Sequence, residues 1–406
     1  MKTLLKILIF IIAALLTGIF SSFLVYSGLW ETFSTGWKTI GFFGGVFILL
    51  VSFYVTLSVH ELAHLIAFKV QGVGIRALYL TIFVFHKTEK GWRLSVNPKL
   101  WILFGGLVVP DLPEIPDDKT EERLTTAFAR ALIAAPVATI VFAAIVIMTF
   151  ILSVTVPAGP LLIGVMGRAA LFVTLLSALY TVTFFLSNDT FYGDVIAWRK
   201  IRTEDAFRIA QFSQYLMFST TAGEASEDHF WTRVTARLRE HGIGSSLFDA
   251  LVLSIYLTGI IREDRESDET VDRFVREKNV NVYLRKEQTL EIAYEIALFH
   301  YRKHDVERAY RLHEDLSRKV GKHIPEELRT YLAKRSAHLM HLEDNSAWLS
   351  ENENIHIGQF WIFETLVDPY EHQKETHQPL PYIEYSSPVA YLYEHHATEE
   401  EKSDPS

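Results

Sequence analysis

The chain has 406 residues, 49% of them hydrophobic, and a formal net charge of −9. With no cysteine, it can hold no disulfide scaffold, thiol nucleophile or cysteine-ligated metal. An acidic chain without a long basic run also offers nothing to nucleic acid. The mean hydropathy of +0.16 hides a sharp division. Positions 1–187 are apolar between short loops, whereas 189–406 hold most of the charge and histidine. This shift predicts a membrane domain over 1–200, a soluble domain over 201–367, and a Pro-, His- and Glu-rich, poorly ordered tail over 368–406.

In chain order, residues 4–30 read as the first span. The run follows Lys2 and Lys6, is too long for a signal peptide and lacks a small-residue cleavage site. A short polar loop over 31–38 leads to a second span over 40–70, which carries His60, Glu61 and His64. On a helix, positions i and i+4 share a face, so both imidazoles of His-Glu-x-x-His can reach one metal ion, with Glu61 placed to take a proton from its water. Zinc suits neutral imidazoles with one open position, because it lowers the pKa of bound water towards neutrality. Polar groups in a membrane helix are costly and face a bundle interior or a cavity. The competing explanation is a pair of buried histidines bonded to neighbouring helices, with Glu61 paired to a base.

Residues 72–110 are too apolar for an ordinary cytoplasmic loop. The run 77–86 predicts a strand, 86–91 a turn and 92–96 a second strand. The ten residues 100–109, with a Gly-Gly pair, are too short to span and predict a re-entrant segment against the metal helix. Residues 111–122 are acidic, Pro-containing and expected to form a flexible linker. The third span is 130–154, the turn 156–160 and the fourth span 161–187. Lys2, Lys6, Lys69, Arg76, Lys87, Lys90, Arg93, Lys99, Arg199, Lys200 and Arg202 then share one side with both termini, which is the cytoplasmic side. Arg168 falls near the outer end of span four, where snorkelling to the interface accounts for it.

A catalytic zinc needs a third protein ligand. Asp189 and Asp194 both follow span four at the depth of His64. Asp194 follows Gly193 and opens an apolar run, which favours it as the ligand, with an N-cap role there as the alternative. Asn188 is placed to cap the span or to donate a hydrogen bond to an oxyanion.

The order of these features resembles the site-2 protease family of intramembrane zinc metalloproteases. In that family a membrane helix bearing HExxH precedes a membrane-associated β-hairpin region ending near Gly-Gly, a small-residue segment opening the next helix, and a later Asn and Asp. The corresponding parts here are His60–His64, residues 72–106, Ala134-Ala135-Pro136, and Asn188 with Asp194. The resemblance covers about 40–198. It departs from the family pattern where Val195 follows Asp194, where Ala-Ala-Pro replaces Ala-Gly-Pro, and where Thr139 stands in place of an Asn. The resemblance implies a Zn2+ enzyme in which His60, His64 and Asp194 bind metal, Glu61 is the base and Asn188 steadies the oxyanion. Its partners would be a transmembrane protein or peptide substrate and the membrane lipid of the cell membrane. A substrate helix must unwind to be cut, and pairing with the 77–86 strand edge would hold it extended.

Beyond Thr203 the pattern is helical, with helices expected over 204–218, 227–241, 245–261, 269–278, 287–304, 306–320 and 325–341. Residues 290–319 look like one tetratricopeptide-type helix pair. The spacing of His338, His341 and Glu343 is that of a metal site, but such histidines more often sit in a core or on a surface. The expected fold is therefore an α-helical polytopic membrane domain of four spans with a β-hairpin and re-entrant segment, followed by an all-α cytoplasmic domain that recruits a protein partner. The rivals are an idle membrane scaffold and a membrane metalloprotease of another class with a Glu ligand.

Overall fold

The structure is a computed structural model. It describes residues 30–88, 90–103, 105–156, 158–187, 192–221, 223–321, 324–352 and 377–383, with Gly18, Ser22, Val25, Tyr26 and Leu366 as isolated positions. The first predicted span therefore lies outside the described residues, apart from five of its positions. By contact density the chain divides into two compact units, 1–226 and 227–406.

The first unit opens with helix α1 (Trp30–Thr39), where a polar loop was expected. Its apolar residues are spaced to pack: Phe33 sits edge-on to Phe150, with ring centroids 5.7 Å apart. Its end is capped from a distance by Arg168, which donates to the carbonyls of Trp37 (2.8 Å) and Ile40 (2.5 Å) and stacks on the Trp37 ring (4.7 Å). Arg168 thus satisfies the free carbonyls of a helix C-terminus instead of snorkelling. Among the described residues, three helices are long and apolar enough to cross a membrane: α2 (Phe42–Val70), α3 (Asp118–Thr155) and α4 (Pro160–Phe184). Phe43, Phe47, Ile145, Leu152, Leu175 and Leu179 are exposed on them, as lipid-facing side chains should be. The chain α3 begins well before residue 130, because Asp117 caps its start by accepting the Thr120 N–H; the expected flexible linker is helical from Asp118.

Between α2 and α3 lie four antiparallel strands, β1 (Gly74–Leu80), β2 (Phe83–Thr88), β3 (Gly91–Val96) and β4 (Gly106–Asp111), in the order β3-β2-β1-β4. The run 77–86 is therefore not one strand. It turns at Thr81, so that Leu80 pairs with Phe83 and Ala77 with His86. Thr81 takes φ 50° without a glycine or asparagine to signal it. Long-range bonds hold it there: its N–H donates to Gly105 O (3.0 Å), and its hydroxyl pairs with Tyr54 OH (3.0 Å). The expected re-entrant segment resolves into a 3-10 turn (Pro98–Leu103) and β4. Strands β1 and β4 pack on α2, and Ala77, Tyr79, Val84 and Val109 are buried in the core.

Helices α5 (Asp194–Thr203) and α6 (Asp205–Leu216) follow α4. Arg208 on α6 is bound to Glu121 at the start of α3 (2.8 Å). The loop after α6 is tied to the end of β4, where the Asp111 carboxylate accepts from the Thr220 N–H (2.9 Å) and hydroxyl (3.0 Å) and from Lys87 (3.4 Å).

The division between units falls in the first turn of α7 (Glu224–His241). The second unit continues with α8 (Leu247–Ile261), α9 (Glu269–Glu277), α10 (Glu287–Arg302), α11 (Val306–Lys319), α12 (Glu326–Leu339) and α13 (Ser346–Glu351). The apolar helix α8 starts at a capping box of Ser246 and Asp249 and is a buried core helix. At its centre α10 buries Leu290, Ala293, Ala297 and Tyr301, and packs on α8, α11 and α12. Residues 377–383, within the segment expected to be poorly ordered, lie against α12.

Burial pushes the Asp111 carboxyl up, but the Thr220 donors and Lys87 outweigh it and hold the group below its ordinary value. A lowered folded-state value means that this tie stabilises the fold above the ordinary carboxylate range near pH ~4 and is lost as acid carries pH through the lowered value. Asp111→Asn is expected to cost about 1–3 kcal/mol at neutral pH. Melting temperatures in detergent should show that deficit at pH 7 and show it shrinking towards zero in strong acid.

Candidate metal centre

His60 and His64 lie one turn apart on α2, and both are buried. Each imidazole is oriented by what its Nδ1 meets on α3. His60 Nδ1 lies 2.9 Å from the Thr139 hydroxyl, which itself donates to Ala135 O (2.9 Å) and so accepts from the ring. His64 Nδ1 donates to Ala131 O (2.9 Å). Pro136, inside α3, lacks the N–H that would bond the Leu132 carbonyl, next to Ala131 in the same turn. The His60 ring is also stacked on Phe184 (5.3 Å, 7°) and Tyr180 (5.9 Å, 9°) from α4. With both Nδ1 atoms engaged, both Nε2 atoms are left to face one point.

That point is Asp194. Its Oδ2 lies 3.1 Å from His60 Nε2 and 3.6 Å from His64 Nε2. The three ligand atoms fall within 4.8 Å of one another, and two imidazole nitrogens with one carboxylate oxygen are a donor set that suits zinc. Asp194 is the first residue of α5, and Gly193 is the N-cap, so the carboxylate is not used as a cap. Gly193 has an ordinary φ of −75°. A glycine is needed there for lack of space, since a Cβ would collide with Thr183 O and the Phe184 backbone at the end of α4. The chain gets back to this point through a bond from Gly193 N–H to Leu186 O (2.9 Å) and a bridge between Ser187 and Tyr192. Ala197 and Ile201 then bury the inner face of α5, which packs on α3. Val195, Ile196 and Trp198, in the apolar run after Asp194, are only half-buried.

Glu61 is buried beside the histidines. Its side chain lies against Gly106 at the start of β4, so closely that a Cβ at 106 would overlap Glu61 Cγ, Cδ and Oε1. The second glycine of the Gly-Gly pair is therefore the floor under the candidate base. Asn188 and Asp189 lie outside the described residues.

Thr139 and Tyr180 have places at this site that residue spacing did not reveal. Thr139 was visible only as a substitution for an expected Asn. Tyr180 had a findable signal, since it lies one turn before Phe184 on α4. Its hydroxyl is buried with no hydrogen-bond partner among the described residues. His338 and His341 are otherwise engaged: His338 Nδ1 accepts the Asn345 N–H (3.3 Å) and His341 Nε2 bonds Leu380 O (2.6 Å). They form no metal cluster among the described residues.

A family model described as Peptidase family M50 matches residues 48–345, most of the chain. No curated protein and no solved structure matches it.

Two variants test the supports of the site. Gly106→Ala is expected to lower peptide-bond cleavage at least ten-fold by displacing Glu61, with metal content unchanged by atomic absorption. Thr139→Val, which leaves His60 Nδ1 without its acceptor, is expected to weaken metal affinity about 10–100-fold, read by competition with a chromogenic chelator.

Proposed function

The chain belongs to peptidase family M50, the site-2 protease family of membrane zinc metalloproteases, and is an integral membrane protein; from that premise we propose that it hydrolyses a peptide bond in or beside a transmembrane segment of another membrane protein. The observation that carries this is the convergence of His60 Nε2, His64 Nε2 and Asp194 Oδ2 within 4.8 Å in a bundle of apolar helices.

His60, His64 and Asp194 would hold Zn2+, which when bound supplies a Lewis acid for the scissile carbonyl and an acidified water. Glu61 takes one proton from the attacking water as its oxygen bonds the carbonyl carbon. It returns that proton to the amide nitrogen as the C–N bond breaks, leaving a carboxylic acid and an amine. Asn188 donates a hydrogen bond to the developing oxyanion. The substrate must be extended before it is cut, because helical carbonyls are already bonded. In the sheet order, β1 is internal and β4 is an edge, so the expected 77–86 edge is replaced by β4, whose Gly106 touches Glu61. An extended substrate adding to β4 would lie beside the base.

The wider reading is four spans with both termini in the cytoplasm of a cell-membrane protein. Residues 1–200 then form the protease domain, 201–367 a cytoplasmic helical domain with its own protein partner, and 368–406 the tail. Basic residues concentrated on one side support this orientation.

Metal content and cleavage of a membrane substrate, measured on purified variants, test the proposal. Wild type should hold one zinc per chain. Glu61→Gln should keep the metal and lose about 10²–10⁴-fold in rate. Asp194→Asn should lose both. A metal-free, inactive wild type would favour the idle scaffold, and full metal retention in Asp194→Asn would favour a different third ligand.

A further inference from the structure

Residues 377–383 (HQPLPYI) lie outside the stretch matched by the family model, yet they are bound in a specific way to the helical unit. Leu380 is buried between two exposed prolines. Both of its backbone groups are taken: its N–H donates to Leu339 O (3.1 Å), and its carbonyl accepts from His341 Nε2 (2.6 Å). On one side, His377 Nε2 pairs with Tyr331 OH (2.7 Å). On the other, the Ile383 N–H donates to Tyr301 OH (3.3 Å), and Tyr382 meets the His341 ring edge-on (5.5 Å). Tyr301 from α10, and Tyr331 and Leu339 from α12, are themselves buried and form the floor.

This is the pattern of a peptide in a receptor groove: main-chain hydrogen bonds on an extended segment, with one apolar anchor in a pocket. Pro379 and Pro381 fix the backbone on either side of the anchor and reduce the entropy lost on docking. The receptor side also carries a cost. His341 follows the end of α12 at φ 57°, a left-handed position that ordinarily falls to glycine. That conformation accompanies the imidazole contact with the Leu380 carbonyl. Next to His377 and Gln378 a cavity of about 590 Å3 is bordered by the carboxylates Glu343 and Asp344. Glu343 accepts from Asn345 Nδ2 (2.9 Å) and Asp344 from the Ser346 N–H (3.0 Å), with His338 Nδ1 3.5 Å away, and the segment's own Gln378 adds no charge beside these two acids.

We propose that the face built by Tyr301, Tyr331, Leu339 and His341 is a peptide-recognition groove, occupied in cis by residues 377–383. In trans it takes an extended segment of a partner protein with the same Pro-Leu-Pro centre and a basic residue two places before the leucine. One buried leucine and a few hydrogen bonds hold the cis segment, so a partner that adds a cation beside Glu343 and Asp344 competes with it for the groove. The groove belongs to the helical unit and does not depend on the metal centre.

Fluorescence anisotropy tests this, using labelled HQPLPYI and HKPLPYI peptides and the full chain in detergent. Leu380→Asp, which ejects the cis segment, should bind HQPLPYI at least ten-fold more tightly than wild type does. The lysine peptide should bind tighter again, an advantage lost in Leu380→Asp/Asp344→Asn. Adding Tyr331→Phe and His341→Ala should remove binding of both. If Leu380→Asp melts below wild type by more than a few degrees, a chain with 377–383 replaced by Gly-Ser repeats takes its place. Equal affinity of wild type and the opened chain, or no binding to either, would overturn the proposal. So would a wild type that is dimeric through the segment and becomes monomeric in Leu380→Asp, since the occupant would then be a second copy.

Discussion

Three polar side chains in the middle of a 29-residue apolar helix set the terms for the first unit. An imidazole or carboxylate removed from water without partners costs several kcal/mol, so every element around α2 has to supply something. Helix α3 supplies Thr139 and Ala131 O, α4 the rings of Tyr180 and Phe184, α5 the Asp194 carboxylate, and β4 the bare backbone at Gly106. Each contribution also constrains chemistry. Engaging both Nδ1 atoms selects the nitrogens left for a ligand, and stacking His60 between α2 and α4 removes its rotational freedom.

The sheet solves a related problem. Strand backbone next to lipid must have its hydrogen bonds satisfied within the protein, and four antiparallel strands packed along α2 do this while leaving β4 as an edge beside Glu61. The assembly is further secured by polar ties between its elements: Asp111 to Thr220 and Lys87, and Glu121 to Arg208. Arg168 does the same by capping α1. A site held from four directions is rigid enough to keep Glu61 in register with His60, His64 and Asp194, as the proposed hydrolysis requires.

The helical unit follows different rules. Its central helix α10 is buried nearly all round, as expected of a helix at the core of a bundle. Its surface carries the 377–383 segment in a way that separates recognition from catalysis. An intramolecular ligand benefits from high effective concentration, so weak contacts suffice to hold it, and a partner in trans must bind the groove more tightly by enough to offset that advantage.

Much of this was legible in the sequence because it depends on local periodicity. The HExxH spacing places two imidazoles on one face wherever a helix forms, and the long apolar runs of α2, α3 and α4 leave little alternative to a helix in lipid. Of the eight α-helices described beyond Thr203, the seven up to α12 follow from repeating apolar positions, and the Ser246–Asp249 box from local capping chemistry. Features set by contacts distant in sequence were not legible. The turn at Thr81 has no local signal and exists because Tyr54 and Gly105 hold it, so a run of β-formers looked like one strand. Residues 31–38 looked like a loop because their helix is completed by Arg168, more than a hundred residues away. Asp194 could be nominated from its neighbours, but that Gly193 fits against the Thr183 carbonyl is a matter of three-dimensional space alone. Likewise, a Pro-, His- and Glu-rich composition beyond residue 368 suggested poor order, and only the folded helices provide the pocket that takes Leu380. Local pattern decides which residues can form an element; the packing of remote elements decides where it turns, what caps it and what its polar atoms face.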